Sequence, residues 1–333
     1  MKLTNYLVIC LQLLILTSAS TALAKSPQSS LIQGIIDDAY HQIKKENPGK
    51  NADYIPALAK VDSAYFGIAL VTPDGKIYTK GDVSQSFSIQ SISKVFTLAL
   101  AMEQQGPQVI FDKVGVNATG LPFNSIIAIE LNEARSVNPL VNAGALATVS
   151  LLEGKTEKAK WSSLSSWYDK FANRKLSVLE DVYQSEADSN DRNRAISQLL
   201  TAHGRFYGDV DLNLGVYTRQ CSVGVTAKDL AVMASVLSNN GVHPLTDKRL
   251  MSSGNVSRVL AVMTTAGLYE NSGQWAYQVG LPAKSGVGGG IIAVSPGRFS
   301  IAVFSPRLDS AGNSIRAQQA IDYIADKLNA NIF

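Results

Sequence analysis

Ser91-Ile92-Ser93-Lys94-Val95-Phe96-Thr97-Leu98-Ala99-Leu100-Ala101-Met102 places a serine one helical turn ahead of a lysine, at the head of an apolar run. Residues i and i+3 share a helix face, so the lysine amine can reach the serine hydroxyl. A helix that is apolar almost all round is buried on most of its surface. Lys94 sits in its first turn and is expected to lose water there. Desolvation favours the neutral amine that a base must be. No other lysine in the chain has a serine three positions before it. Without this context Ser91 reads as an ordinary helix N-cap and Lys94 as a solvated helix residue. The apolar context favours a nucleophile beside its own base.

Lys284-Ser285-Gly286-Val287 is the second signal, and it leads into Gly288-Gly289-Gly290. No other Lys-Ser-Gly or Lys-Thr-Gly occurs. In this order the two motifs resemble two of the three marks of serine acyl-enzymes of the penicillin-binding type. The three glycines do not read as a phosphate loop, because no helix start or Gly-Lys-Ser/Thr follows them.

The chain has 333 residues, 46% of them hydrophobic and 17% charged. That suffices for a full core in one large domain or two interleaved ones. The net charge of +3 is carried by scattered residues, with no basic stripe, which argues against a nucleic-acid partner. Residues 1–24 read as a secretory signal peptide. Lys2 is the positive end, Leu7 to Leu16 the apolar core, and Ala22-Leu23-Ala24 the small-residue site before a cut at Lys25. The apolar run is too short for a stable membrane span. The expected mature chain, residues 25–333, is therefore exported, periplasmic or secreted.

The mature chain keeps one cysteine, Cys221, so no internal disulfide is expected; Cys221 reads as a buried apolar residue rather than a nucleophile. The three histidines, His41, His203 and His243, lie far apart without metal spacing, and neither a metal nor another cofactor is expected. A Ser-His-Asp triad lacks its Gly-x-Ser-x-Gly elbow. His243 reads as a loop residue and His203 as a helix end.

Hydrophobic spacing predicts a helix over 27–43 and strands over 65–71 and 76–80, joined by the turn Thr72-Pro73-Asp74-Gly75. A helix follows from Ser91, and then mostly helical patterns over about 107–270. Thr226-Ala227-Lys228-Asp229 resembles a capping box. Strands are expected again over 278–287, 290–294 and 299–304, with Pro296-Gly297 as a hairpin turn, and a last amphipathic helix over 314–328. The economical fold is α+β. One antiparallel sheet is built from both chain ends, with terminal helices on one face and a helical insertion on the other. Ser91 and Lys284 then meet at the junction, where small-molecule sites concentrate.

Four blocks extend these signals: Phe87 to Phe96 (FSIQSISKVF), Asn138 to Ala145 (NPLVNAGA), Gln220 to Val225 (QCSVGV) and Leu281 to Ile291 (LPAKSGVGGGI). In them the chain resembles the bacterial serine-dependent glutaminase family, which shares the β-lactamase fold. The resemblance runs from about Leu31 to near the C-terminus. It implies hydrolysis of L-glutamine to L-glutamate and ammonia, with Ser91 attacking the side-chain amide and Lys94 taking its proton. It further implies substrate contacts at Ser91, Asn142, Glu186, Asn193, Tyr217, Tyr269 and Val287, and a homotetramer or homodimer.

Chemistry gives these positions reasons. The backbone N–H groups of Ser91 and Val287 are candidates for the oxyanion. Glu186 can hold an ammonium, and Asn142 and Asn193 polar ends. Tyr217 or Tyr269 can relay a proton to ammonia, and Lys284 can tune Ser91 or Tyr217. Plain structural roles stay open beside them: buried aromatics for the tyrosines, a turn or cap for Asn142, and a solvated loop for Glu186 in its polar run.

The block Thr264 to Tyr269 keeps the tyrosine but lacks a cysteine often found near it in the family, and the export signal is unusual there. Export instead favours a penicillin-interacting enzyme, a β-lactamase or D-alanyl carboxypeptidase. Ser136-Val137-Asn138 formally supplies the missing Ser-x-Asn, and Glu186 with Asn190 echoes a Glu-x-x-x-Asn. Ser136, however, lies close to Ser91 in sequence and adjoins the NPLVNAGA block. A non-catalytic amino-acid-binding protein is the third reading, and the Ser91, Lys94 and Lys284 set argues against it.

Overall fold

The computed structural model describes residues 27–333; the expected leader lies outside them. Eight strands are present among the described residues: β1 (Gly67–Val71), β2 (Ile77–Gly81), β3 (Phe87–Ser88), β4 (Ser177–Val178), β5 (Val223–Val225), β6 (Ala283–Gly286), β7 (Gly290–Ser295) and β8 (Phe299–Phe304). Five form one antiparallel sheet in the order β2-β1-β8-β7-β6. The two ends of the chain thus share a sheet, with Gly67 opposite Phe304 and Val71 opposite Ser300.

Alternation along each strand decides which layer a residue joins. Ile68 and Leu70 pack with Ile301 and Val303 under the terminal helices Pro27–Ile43 and Ile315–Lys327, against Ile36 and Ile321. Ala69, Val71, Ala302 and Phe304 face the opposite layer, where helix Ala227–Ser238 lies on the sheet through Leu230 and Ala234. That helix starts on a complete capping box. The Asp229 N–H donates to Thr226 Oγ1 at 3.1 Å, and the Thr226 N–H donates to the Asp229 carboxylate at 2.8 Å.

Three expectations change. The strand expected over 278–287 shortens to β6, because Ser272–Gln278 is a helix that buries Trp275 and donates its Nε1–H to the Leu281 carbonyl at 2.7 Å. A short apolar run cannot separate strand from buried helix by period alone. The helix expected from Ser91 begins at Ser93, and Gln90–Ile92 forms a 3-10 turn before it. The largely helical middle also contributes to a small sheet, in the order β3-β5-β4, whose strands of two or three residues are too short to show a period. His203 does cap a helix end, and buried His243 sits in a loop.

Gly267 ends helix Ser253–Ala266 where it crosses β6. A Cβ there would lie 1.7 Å from the Ala283 carbonyl oxygen. Gly267→Ala is therefore expected to lower the melting temperature by about 5 °C or more, by overpacking. Thermal denaturation checks it; an unchanged Tm would show that helix and strand do not approach this closely.

Candidate active site

The 3-10 turn Gln90–Ile92 carries Ser91 at the junction of the two layers, 8% exposed. Gln90 just before it has φ +49°, a left-handed conformation that costs a non-glycine residue about 1 kcal/mol. Its side chain is held by bonds from Nε2 to Glu186 Oε1 at 2.6 Å and to Ser88 Oγ at 3.2 Å. The strain thus sits beside the proposed nucleophile and is over-determined by its neighbours.

Lys94 lies one turn on, 1% exposed. Its Nζ is 3.0 Å from Ser91 Oγ and 2.7 Å from Asn142 Oδ1. Burial pulls its pKa down to about 8, against opposing effects of Cys221 and Glu186. Glu186 faces the same site, and burial lifts its carboxyl to about 7, opposed by the Gln90 amide and the Lys94 charge. Lys284, fully buried on β6, is driven well below its ordinary range by burial and then by Lys94. Its Nζ donates to the Ser285 carbonyl at 2.6 Å and lies 4.0 Å from the centre of the Tyr269 ring.

The glycines of β6 and β7 explain how Val287 reaches Ser91. A Cβ on Gly286 would lie 2.8 Å from the Ile89 carbonyl oxygen, and one on Gly288 would lie 2.3 Å from that of Ser88. Only glycines let the turn run against the backbone of residues 88–90. Neither the Ser91 nor the Val287 N–H donates to a protein acceptor among the described residues. Two free N–H groups in a buried setting suit a developing oxyanion.

A cavity of about 290 Å3 opens here. Ser91, Asn142, Glu186, Asn193, Tyr217 and Val287 all line it. Cavities of about 530 and 610 Å3 elsewhere are larger, but neither holds this chemistry. Lys94, Lys284 and Tyr269 stand behind the lining, and the Tyr269 hydroxyl donates to the Ser285 carbonyl at 3.4 Å. Burial raises both tyrosines, Tyr269 to about 12 and Tyr217 well above its ordinary value. Tyr217 lines the cavity with its ring centre 5.9 Å from Lys94 Nζ.

Every residue that the glutaminase resemblance assigns to the site therefore lies in or just behind one cavity. Glu186 is not in a loop: its polar run is the meeting of helices Glu180–Ala187 and Asp191–Ala202, folded inward. Tyr54, Gln90, Phe123 and Arg192 also line the cavity and escaped sequence reasoning. Tyr54 sits in an N-terminal turn with no motif around it, whereas Gln90 could have been found from its place before the serine. Ser136 and Asn138, by contrast, are wholly buried structural residues. Ser136 Oγ donates to the Val114 carbonyl at 2.5 Å, and Asn138 Nδ2 to that of Asn117 at 2.9 Å.

Among the described residues, no group of three or more His, Cys, Asp or Glu could hold a metal ion, and no helix is long and apolar enough to cross a membrane. Cys221 is free, buried and lifted by burial to about 12, which keeps it a thiol.

The family model for glutaminase matches residues 49–333. The chain belongs to the glutaminase family. A glutaminase of Colwellia psychrerythraea is 83% identical over 311 residues, which is 93% of this chain and 100% of the relative. One of Brucella canis is 54% identical over 285 residues, 86% of this chain and 90% of its own. The solved structure of a probable glutaminase, YbaS, shares 46% identity and a TM-score of 0.90, covering 92% of this chain and 99% of that one. Mglu in its glutamate form shares 38% identity at a TM-score of 0.86, covering 90% of this chain and 69% of that one. The fold is accordingly the β-lactamase-like fold of glutaminases, and the reaction is the amide hydrolysis of glutamine. The penicillin-interacting alternative thus loses both its third motif and its family.

Proposed function

We propose that Ser91 is the nucleophile of this glutaminase and Lys94 its base. The observation that carries the reading is a buried lysine amine 3.0 Å from the serine oxygen, its other side held by the Asn142 carbonyl. A neutral amine that donates to Asn142 keeps its lone pair for the Ser91 proton. Ser91 Oγ then bonds to the side-chain carbonyl carbon of L-glutamine. The oxyanion forms between the N–H groups of Ser91 and Val287.

Collapse breaks the C–N bond. The proton held by Lys94 goes to the amide nitrogen, and ammonia leaves a γ-glutamyl ester on Ser91. Tyr217, which lines the cavity, or Tyr269, which donates to the Ser285 carbonyl just behind it, can relay that proton. Water, deprotonated by the same amine, attacks the ester and releases L-glutamate. No cofactor is required. Lys284 contributes from behind the site, donating to the Ser285 carbonyl and packing against the Tyr269 ring.

Glu186 supplies the carboxylate for the substrate ammonium, with Asn142 and Asn193 at the polar ends. Glu186→Gln is expected to raise KM about tenfold or more with little change in kcat, since it removes uniform binding. A fall in kcat alone would place Glu186 in the chemistry instead. Ammonia release from L-glutamine by residues 25–333 tests the whole reading. No release, together with tight glutamine binding, would return the binding-protein alternative.

Export is part of the proposal, supported by the basic, apolar and small-residue segments of residues 1–24. N-terminal sequencing of the protein recovered from outside the cytoplasm should begin at Lys25. Self-association as a dimer or tetramer is supported by Ile127 and Leu131, 65% and 76% exposed on one short helix. Light scattering would read it directly.

A further inference from the structure

We infer that Thr218 is a positioning residue that fixes, through Asn190 and Asn193, which end of the Asn142 amide faces Lys94. The inference rests on the Ser91–Lys94 reading above. Thr218 is buried on helix Val210–Cys221 and does not line the cavity. Its hydroxyl donates to the Leu214 carbonyl at 2.9 Å. A backbone carbonyl can only accept, and a threonine hydroxyl has one proton to give. Toward Asn190, Thr218 therefore offers only a lone pair.

Every later link then has one permitted sense. Asn190 Nδ2 donates to Thr218 Oγ1 at 2.7 Å. Its Oδ1 accepts from Asn193 Nδ2 at 3.0 Å. Asn193 Oδ1 accepts from Asn142 Nδ2, also at 3.0 Å. Asn142 is left with its Oδ1 toward Lys94, at 2.7 Å. Amide ends are interchangeable in shape, so only such a network sets their direction.

The sense matters for the chemistry. With Oδ1 forward, the lysine donates to Asn142 and its lone pair remains for Ser91. With NH2 forward, a neutral amine would accept from Asn142 and lose that lone pair, while an ammonium would face another donor. The groups that face Lys94 from other elements are Glu186, Cys221, Lys284 and Tyr217, whose ring centre is 5.9 Å from Nζ. Substituting Thr218 leaves all four in place.

Thr218→Val keeps the shape and removes the anchor. An acceptor stabilises the ammonium more than the amine, so losing the fixed acceptor lowers the lysine pKa. The expected result is a kcat about tenfold lower, with its acid limb moved about half a pH unit or more downward. Thr218→Ser restores the hydroxyl and should restore both. A packing defect alone would lower the folded fraction and leave the limb where it was. Should Thr218→Val not fold, Asn190→Ala breaks the same chain from a half-exposed position and should move the limb the same way. A wild-type limb in either folded variant overturns the inference alone. Wild-type protein that releases no ammonia overturns the glutaminase mechanism and this inference with it.

Discussion

Ser91→Ala should lower kcat by about 10^4-fold or more while L-glutamine still binds. The magnitude follows from the roles assigned to one atom. Among the described residues Ser91 Oγ is the one hydroxyl hydrogen-bonded to the buried amine, at 3.0 Å, and it carries the acyl group through both half-reactions. Its loss leaves water to attack directly, with only the N–H groups of Ser91 and Val287 and the bound orientation to help. Those account for a residual acceleration of about 10^3 in comparable serine enzymes. The ammonium and polar contacts do not use Oγ, so calorimetric affinity should change little. Cys221 lines the same cavity, yet as a thiol held near 12 it cannot replace the serine. Activity near the wild-type level in a folded Ser91→Ala variant would transfer the chemistry elsewhere, with Cys221 the first suspect.

Lys94→Ala should be the second severe loss, about 10^3-fold or more in kcat. Here the shape of the pH profile is as informative as the size. In the wild type the base must be neutral, and burial places its titration near 8. Activity is therefore full above that value and falls as pH drops through it. Glu186 adds a second limb near 7 in kcat/KM, because it must be a carboxylate to hold the ammonium. Below both values the limiting slope approaches about two. Without Lys94, hydroxide is the remaining base. The residual rate of Lys94→Ala should then keep rising with pH and show no plateau above 8. A plateau retained in the variant would remove the lysine from proton transfer. Its buried neighbour Lys284 would then be the group to examine, though it lies against Tyr269 and the Ser285 carbonyl.

The chain wrote its own fold in two places and hid it in others. Strands β1, β2, β7 and β8 were legible because alternation and hairpin turns are local signals. The terminal helices were legible because their apolar stripes recur at helical spacing, also a local signal, whereas the cap at Ser314 shows only in the structure. The small sheet β3-β5-β4 was not, since its pairs join residues far apart in sequence through strands shorter than one pattern repeat. At the site, Ser91, Lys94 and Lys284 could be read from spacing and composition. Glu186 could not be placed by the residues alone, because a polar run on two abutting helices looks the same as a solvated loop. Tyr54 reaches the cavity only through the packing of its N-terminal turn near Val287. The relay from Thr218 to Lys94 is legible only in three dimensions: its members come from four helices.

A covalent γ-glutamyl ester on Ser91 is the centre of the mechanism, and partitioning by an added nucleophile tests it without needing the ester to accumulate. Wild-type protein would be given L-glutamine, or the γ-methyl ester of L-glutamate, in the same concentration of hydroxylamine. Glutamate and γ-glutamyl hydroxamate would then be measured. A common acyl-enzyme requires the same ratio of the two products from both substrates, because the leaving group has gone before partitioning occurs. A ratio that depends on the substrate, or glutamate with no hydroxamate at any concentration, would contradict it and leave direct attack by water as the mechanism.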